Sequence, residues 1–208
     1  MNEIQFTFLF SMDQQRGLFI AFEGIDNSGK TTTSQKLYHD LSSKGKKVEL
    51  LFFPSPLSPT FSIIRNFLDG EIQLDPHSAH MLFTANRWDC QLKIKQLLQE
   101  GYIVIVDRWS DSGIAYSYSS GLDLKWCKRM ETDLIQPDVT FYMYISIEEA
   151  KDREFDNSKY ENMESLTRVK SFFDDNIIRY SLIKADAPID TIALIIKKFL
   201  RNKYNIHY

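Results

Sequence analysis

Residues 24 to 31 read Gly24-Ile25-Asp26-Asn27-Ser28-Gly29-Lys30-Thr31, an unbroken G-x-x-x-x-G-K-T. This phosphate-binding (P-loop) pattern constrains the fold more than any other feature, because it works only as the turn between a strand and a helix. Gly24 and Gly29 allow backbone conformations closed to residues with a Cβ, so amide N–H groups converge on phosphate oxygens. Lys30 adds a point charge and Thr31 a hydroxyl for a divalent cation. The following helix turns the positive end of its dipole toward the same anion. Both flanks comply. Leu18 to Phe22 is a continuous apolar run, suited to a strand covered on both faces. Thr31 to Ser43 carries Leu37, Tyr38 and Leu41 at helical spacing and stops at Lys44-Gly45.

The rest of the chain alternates strand and helix, which predicts an α/β fold with a parallel sheet of about five strands and helices on both faces. Val48 to Phe53 reads as the second strand, followed by the proline-rich Pro54 to Pro59. A short helix is expected over Ser62 to Leu68. A long one begins at Asp75-Pro76 and runs to Glu100, where Gly101 ends it. Tyr102 to Val106 is the clearest strand, and Asp107 closes it at the end where open α/β sheets bind ligands. Helices are expected over 113–119 and 125–134, and a strand over Val139 to Ile145. Ser146 then caps a helix over Ile147 to Arg153. Residues 153 to 162 are polar and turn-rich and read as a lid. A helix over 163–180, a short strand over 182–184 and a last helix from Pro188 complete one domain over residues 17–208.

The 208 residues suit a single domain with a substantial core. A net charge of −3 leaves no footprint for nucleic acid. Cys90 and Cys127 form no CxxC, which argues against a zinc site or disulfide framework and suits a reducing, cytoplasmic setting. No apolar run reaches the length of a membrane span. Residues 1–16 read as an N-terminal extension. Its apolar stretch Ile4 to Phe10 has neither a basic flank nor a small-residue cleavage site, so it is not read as a signal peptide.

Two further constellations carry chemistry. At the end of its strand, Asp107 can hold Mg²⁺ or its waters opposite Thr31, and Arg108 can grip a phosphate with parallel hydrogen bonds. In the long helix, Phe83 and Arg87 lie four apart on one face. They suit either a planar base or, more blandly, a core aromatic and an arginine reaching a surface carboxylate. Asn86-Arg87-Trp88-Asp89 mimics the guanine-reading N-K-x-D, but lies mid-helix rather than after a strand.

From about residue 17 to 200 the chain resembles the thymidylate kinase family of P-loop nucleoside monophosphate kinases. The resemblance rests on Phe22-Glu23-Gly24-Ile25-Asp26, Phe53-Pro54, Leu82 to Trp88, Asp107-Arg108 with Ser112-Gly113, Leu134 to Pro137-Asp138, and Tyr160-Glu161-Asn162. It implies a three-layer P-loop NTPase fold, ATP and Mg²⁺ as cofactors, dTMP as acceptor and a homodimer. It also implies roles. Gly24, Asp26, Asn27, Ser28, Gly29, Lys30, Thr31 and Thr32 would cradle ATP, with Asp186 and Ala187 beside adenine. Asp26 would also bind the sugar 3′-hydroxyl, and Tyr116 would lie under the sugar. Phe83 would stack on thymine, Arg87 would bond its carbonyl edge, and Phe53, Pro54 and Leu68 would wall the pocket. Ser112, Gly113 and Tyr160 join the acceptor site, Arg108 would hold the acceptor phosphate, and Asp107 would act through the metal shell.

Three positions depart from the family pattern. Pro56 replaces an arginine, Trp109 replaces the tyrosine of Asp-Arg-Tyr, and Asn27 replaces the P-loop arginine of many eukaryotic members. With Asn27 neutral, the cation for the transferring phosphate is expected from Arg153 and Lys159 at the lid. No activating histidine is needed, since the acceptor is already an anion, and His39, His77, His80 and His207 read as structural or solvated. Two other readings stay open: a kinase for another nucleotide or nucleoside, and a nucleotide-binding protein without turnover.

Overall fold

The structure, a computed structural model, describes residues 16–153 and 163–206. Almost all of the N-terminal extension and all of the lid except Arg153 therefore lie outside the described residues, and with them Lys159 and Tyr160.

Five strands, β1 (Phe19–Glu23), β2 (Val48–Phe52), β3 (Ile103–Asp107), β4 (Val139–Tyr144) and β5 (Ser181–Lys184), form one sheet in the order β2-β3-β1-β4-β5. Every neighbouring pair is parallel. The central strands β1 and β3 are apolar because both faces are covered, and alternate residues supply opposite cores. Ile20, Phe22, Ile103 and Ile105 join Leu37 and Leu41 of α1 (Lys30–Ser42) and Ile196 and Leu200 of α8 (Ile189–Tyr204). Phe19, Ala21, Val104 and Val106 face the other way, onto Cys90, Ile94 and Leu98 of α3 (Pro76–Gln99).

Among the described residues, the remaining α-helices are α2 (Phe61–Leu68), α4 (Ser110–Ser119), α5 (Leu124–Met130), α6 (Ile147–Asp152) and α7 (Met163–Asp175). Local caps explain the starts of α3, α5 and α6. Asp75 accepts from the His77 and Ser78 amides at the head of α3, behind Pro76. Ser146 and Glu149 form a capping box on α6.

The alternating α/β reading holds, with three adjustments. The helix expected over 163–180 stops at Asp175, because Asn176 donates its side-chain amide to the Phe172 carbonyl and a 3₁₀ turn, Ile177–Arg179, follows. The helix expected over 125–134 ends at Met130, where Glu131 turns into the interior. The helix expected from Gly113 starts earlier, at Ser110, for a reason its own sequence does not contain.

The register Phe22↔Asp107 brings the carboxyl ends of β1 and β3 side by side at the point where strand order reverses. That is the ligand edge of such a sheet.

Candidate active site

The loop after β1 wraps one end of a cleft of about 700 Å³. Gly24 has φ +142°, and a Cβ there would lie 2.9 Å from the Met143 carbonyl oxygen. Gly29 has φ +85° and starts α1 with no side-chain cap, so the first-turn amides are left to an anion. Lys30, 5% exposed, donates to the Ile25 carbonyl and lies 3.2 Å from the Ser28 hydroxyl. Burial and the nearby Arg108 push its ammonium down to about 7, against the pull of Asp26, Asp107 and Glu23. A polyphosphate at this position would remove that penalty by supplying the missing negative charge.

Asp107 and Arg108 share the cleft with the loop. The Thr31 hydroxyl donates to the Asp107 carboxylate, so the two oxygens expected to serve a metal stand together. Arg108 occupies the left-handed region, φ 68°, which is costly for a residue with a long side chain and marks a site where the surroundings fix the backbone. Its guanidinium donates to the Gly24 carbonyl (3.1 Å), the Ser112 hydroxyl (3.0 Å) and Asp26. Tyr116 donates to the other Asp26 oxygen at 2.8 Å. Burial pushes Asp26 up, but Arg108, Lys30 and Tyr116 outweigh it and hold the carboxyl below its ordinary range.

On the other side of the cleft, Ala185, Ala187, Ile189 and Ile192 form an apolar wall. Ala187, expected beside adenine, is part of that wall. The Asp186 carboxylate instead pairs with Lys184. Arg153 crosses toward the loop. It donates to the Ala185 carbonyl at 2.6 Å, and its Nη1 lies 3.8 Å from where a Cβ on Gly29 would sit.

Of the residues expected to bind a base, Phe83 and Arg87 lie on α3 and Leu68 on α2, and none of these three lines the cleft. Phe53 reaches the cleft, and Phe83 packs edge-on against Phe67 with ring centroids 6.5 Å apart. Arg87 is 3% exposed and gives two donors to Glu131, one of them Nε at 2.9 Å. Thr84 donates to the same carboxylate at 2.7 Å. The arginine thus does reach a carboxylate, but a buried one. Glu131 was missed in the sequence because nothing in Arg129-Met130-Glu131-Thr132-Asp133 distinguishes it from a surface acid.

A family profile described as thymidylate kinase matches residues 22–194. The chain belongs to the thymidylate kinase family. The thymidylate kinase of Dictyostelium discoideum is 37% identical over 183 residues, covering 86% of this chain and 82% of that one. The human thymidylate kinase is 31% identical over 187 residues, 87% and 88% of the two chains. The solved structure of the Candida albicans thymidylate kinase matches with a TM-score of 0.81 at 27% identity, over 93% of this chain and 96% of that one.

Within this thymidylate kinase family member, one of the three departures is a matter of packing. Trp109 is 1% exposed, packs edge-on against Phe19 and Phe53, and donates its indole N–H to the Ile135 carbonyl. Pro56 is itself exposed in the loop after Phe53, and Asn27 lines the cleft with φ 58°.

Gly113 is required by close approach. A Cβ there would press on the Arg87 guanidinium, 2.9 Å from its Cζ, and Glu131 prevents the arginine from retreating. Alanine for glycine inside a helix ordinarily stabilises by about 0.5–1 kcal/mol. Here the sign reverses: Gly113→Ala is expected to destabilise by about 1–3 kcal/mol in urea denaturation. A variant as stable as wild type contradicts this packing.

Proposed function

We propose that this chain transfers the γ-phosphoryl group of ATP to the phosphate of dTMP, giving dTDP. The observation that carries the reading is one cleft in which the P-loop lysine, the Thr31–Asp107 oxygens and Arg108 converge. The loop amides and Lys30 hold the donor polyphosphate, and Ala185 and Ala187 lie against adenine. Arg108 holds the acceptor phosphate beside it. Phosphoryl transfer asks little covalent work of the protein, so positioning and charge neutralisation supply the rate. The acceptor oxygen carries no proton to remove. The exposed His39 and His77 and the buried His80 therefore need no part in the chemistry.

Mg²⁺ fits the donor set. Thr31 and Asp107 present adjacent hard oxygens, while the described residues contain no group of three or more His, Cys, Asp or Glu able to hold a metal by themselves. Substrate phosphates would complete the shell, as Mg²⁺ sites in kinases commonly require. Bound there, the ion would spread the charge of the transferring phosphate. Thr31 and Asp107 would orient it or its waters.

The acceptor nucleoside has a matching set of residues. Asp26 and Tyr116 meet where a 3′-hydroxyl and the sugar face would lie, and Phe53, Pro54, Leu68, Phe83 and Arg87 would take the thymine, with Ser112 and Gly113 behind them. A coupled assay over dTMP, dUMP, dGMP and thymidine tests this. Highest kcat/KM for dTMP is expected. Another acceptor turned over about ten times more efficiently would replace it as the substrate.

Arg153 supplies the cation that Asn27 does not, with Lys159 as the second candidate from the sequence. The support is the placement of Arg153 against the Gly29 turn. Arg153→Ala combined with Lys159→Ala is expected to lower kcat at least about a hundredfold. A loss of less than about threefold assigns the charge elsewhere.

We also infer a homodimer. Met81, Trp88 and Leu92 are exposed along α3 at helical spacing, and this stripe suits a two-fold contact. Light scattering at the monomer mass would refute it. Cys90 and Cys127, both buried and free, suit a reducing cytoplasmic setting. No described helix is long and apolar enough to cross a membrane.

A further inference from the structure

The carboxylate that closes β1 has no role in the reaction as described. Glu23 is 1% exposed and does not line the nucleotide cleft, yet three donors converge on it. One oxygen accepts from the Trp109 amide at 2.8 Å and the Ser112 amide at 3.1 Å, and the other from the Ser112 hydroxyl. The two amides belong to the head of α4, whose N-cap residue, Trp109, offers no side-chain acceptor. The cap comes instead from β1, 86 residues earlier in the chain.

The same carboxylate reaches Arg108 through one intermediary. With its proton directed at Glu23, the Ser112 hydroxyl turns lone pairs to Arg108 Nη1, 3.0 Å away. Arg108 thus has its left-handed backbone anchored on the following residue and one arm of its guanidinium oriented, both through Glu23. We propose that Glu23 is a positioning residue for Arg108, holding the arginine where it meets the acceptor phosphate. This rests on the reading of Arg108 given above.

Glu23→Gln isolates the effect. Its amide oxygen still accepts the two backbone N–H groups, so the cap survives. Its NH₂ faces the Ser112 hydroxyl as a donor, so that proton loses its acceptor and Ser112 no longer presents itself correctly to Arg108. Steady-state kinetics are expected to show KM for dTMP raised about tenfold, as for loss of a hydrogen bond to a charged group. KM for ATP stays within about twofold of wild type. In an Arg108→Ala background, Glu23→Gln adds less than about twofold, because the two act through one contact. A purely structural role would add its own loss in both backgrounds and move both KM values together. Either result overturns the proposal. If Arg108→Ala raises the acceptor KM and Glu23→Gln does not, the proposal fails while the role of Arg108 stands. If Arg108→Ala leaves that KM unchanged, both fall. Should Glu23→Gln not fold, Ser112→Ala leaves the cap intact and removes the link, with the same outcomes expected.

Discussion

Lys30→Met is expected to lower kcat at least about a thousandfold while leaving the fold as stable as wild type or more so. The two effects separate because the lysine is placed for the ligand and at the expense of the free protein. It is buried beside Arg108, and without nucleotide its ammonium falls to about 7. The unfolded chain keeps that proton up to the ordinary value of 10.5. Between these values the unfolded state binds more protons, so stability contributed by this site rises with pH from about 7 to 10.5. Methionine removes the titration. Melting profiles of wild type and variant should therefore differ most below pH 7 and converge as pH rises. Turnover is a separate readout. A variant that retains a tenth of wild-type kcat would mean that the phosphates are neutralised by another group.

Arg108→Ala is expected to lower kcat/KM for the acceptor by about a thousandfold and to leave KM for ATP nearly unchanged. Arg108→Lys should recover little, because a lysine cannot reproduce donors aimed at once to Gly24, Ser112 and Asp26. Asp26 also loses the partner that most strongly opposes its burial, so its carboxyl is expected to rise from its depressed position. Steady-state kinetics with each substrate varied in turn separate these effects. A raised KM for ATP with KM for the acceptor unchanged would place Arg108 on the donor side instead.

The donor half of the site was legible because each of its signals is local. The G-x-x-x-x-G-K-T run, a preceding apolar strand and a following helix lie within 25 residues. Asp107 was found by the same logic, as a carboxylate ending a run that only a strand buried on both faces explains. Glu23 carries the identical signal, an acid closing Phe19-Ile20-Ala21-Phe22, and that signal does not distinguish a metal-shell carboxylate from the cap of a distant helix. What the sequence withholds is side-chain pairing across distance. The cap of α4 comes from β1, the partner of Arg87 sits just past the end of α5, and neither spacing nor periodicity links such residues. Asp186 shows another limit: the sequence does not reveal that Lys184, two residues earlier, pairs with its carboxylate.

The central claim is that one cleft seats two phosphates, the donor on the P-loop and the acceptor on Arg108. It is tested most directly with a bisubstrate analogue in which adenosine and thymidine are joined through a pentaphosphate. Inhibition should be competitive against both ATP and dTMP, with one molecule bound per chain and affinity at least about a hundredfold above either nucleotide alone. An analogue that competes with ATP only, and binds no tighter than ATP, would contradict the account.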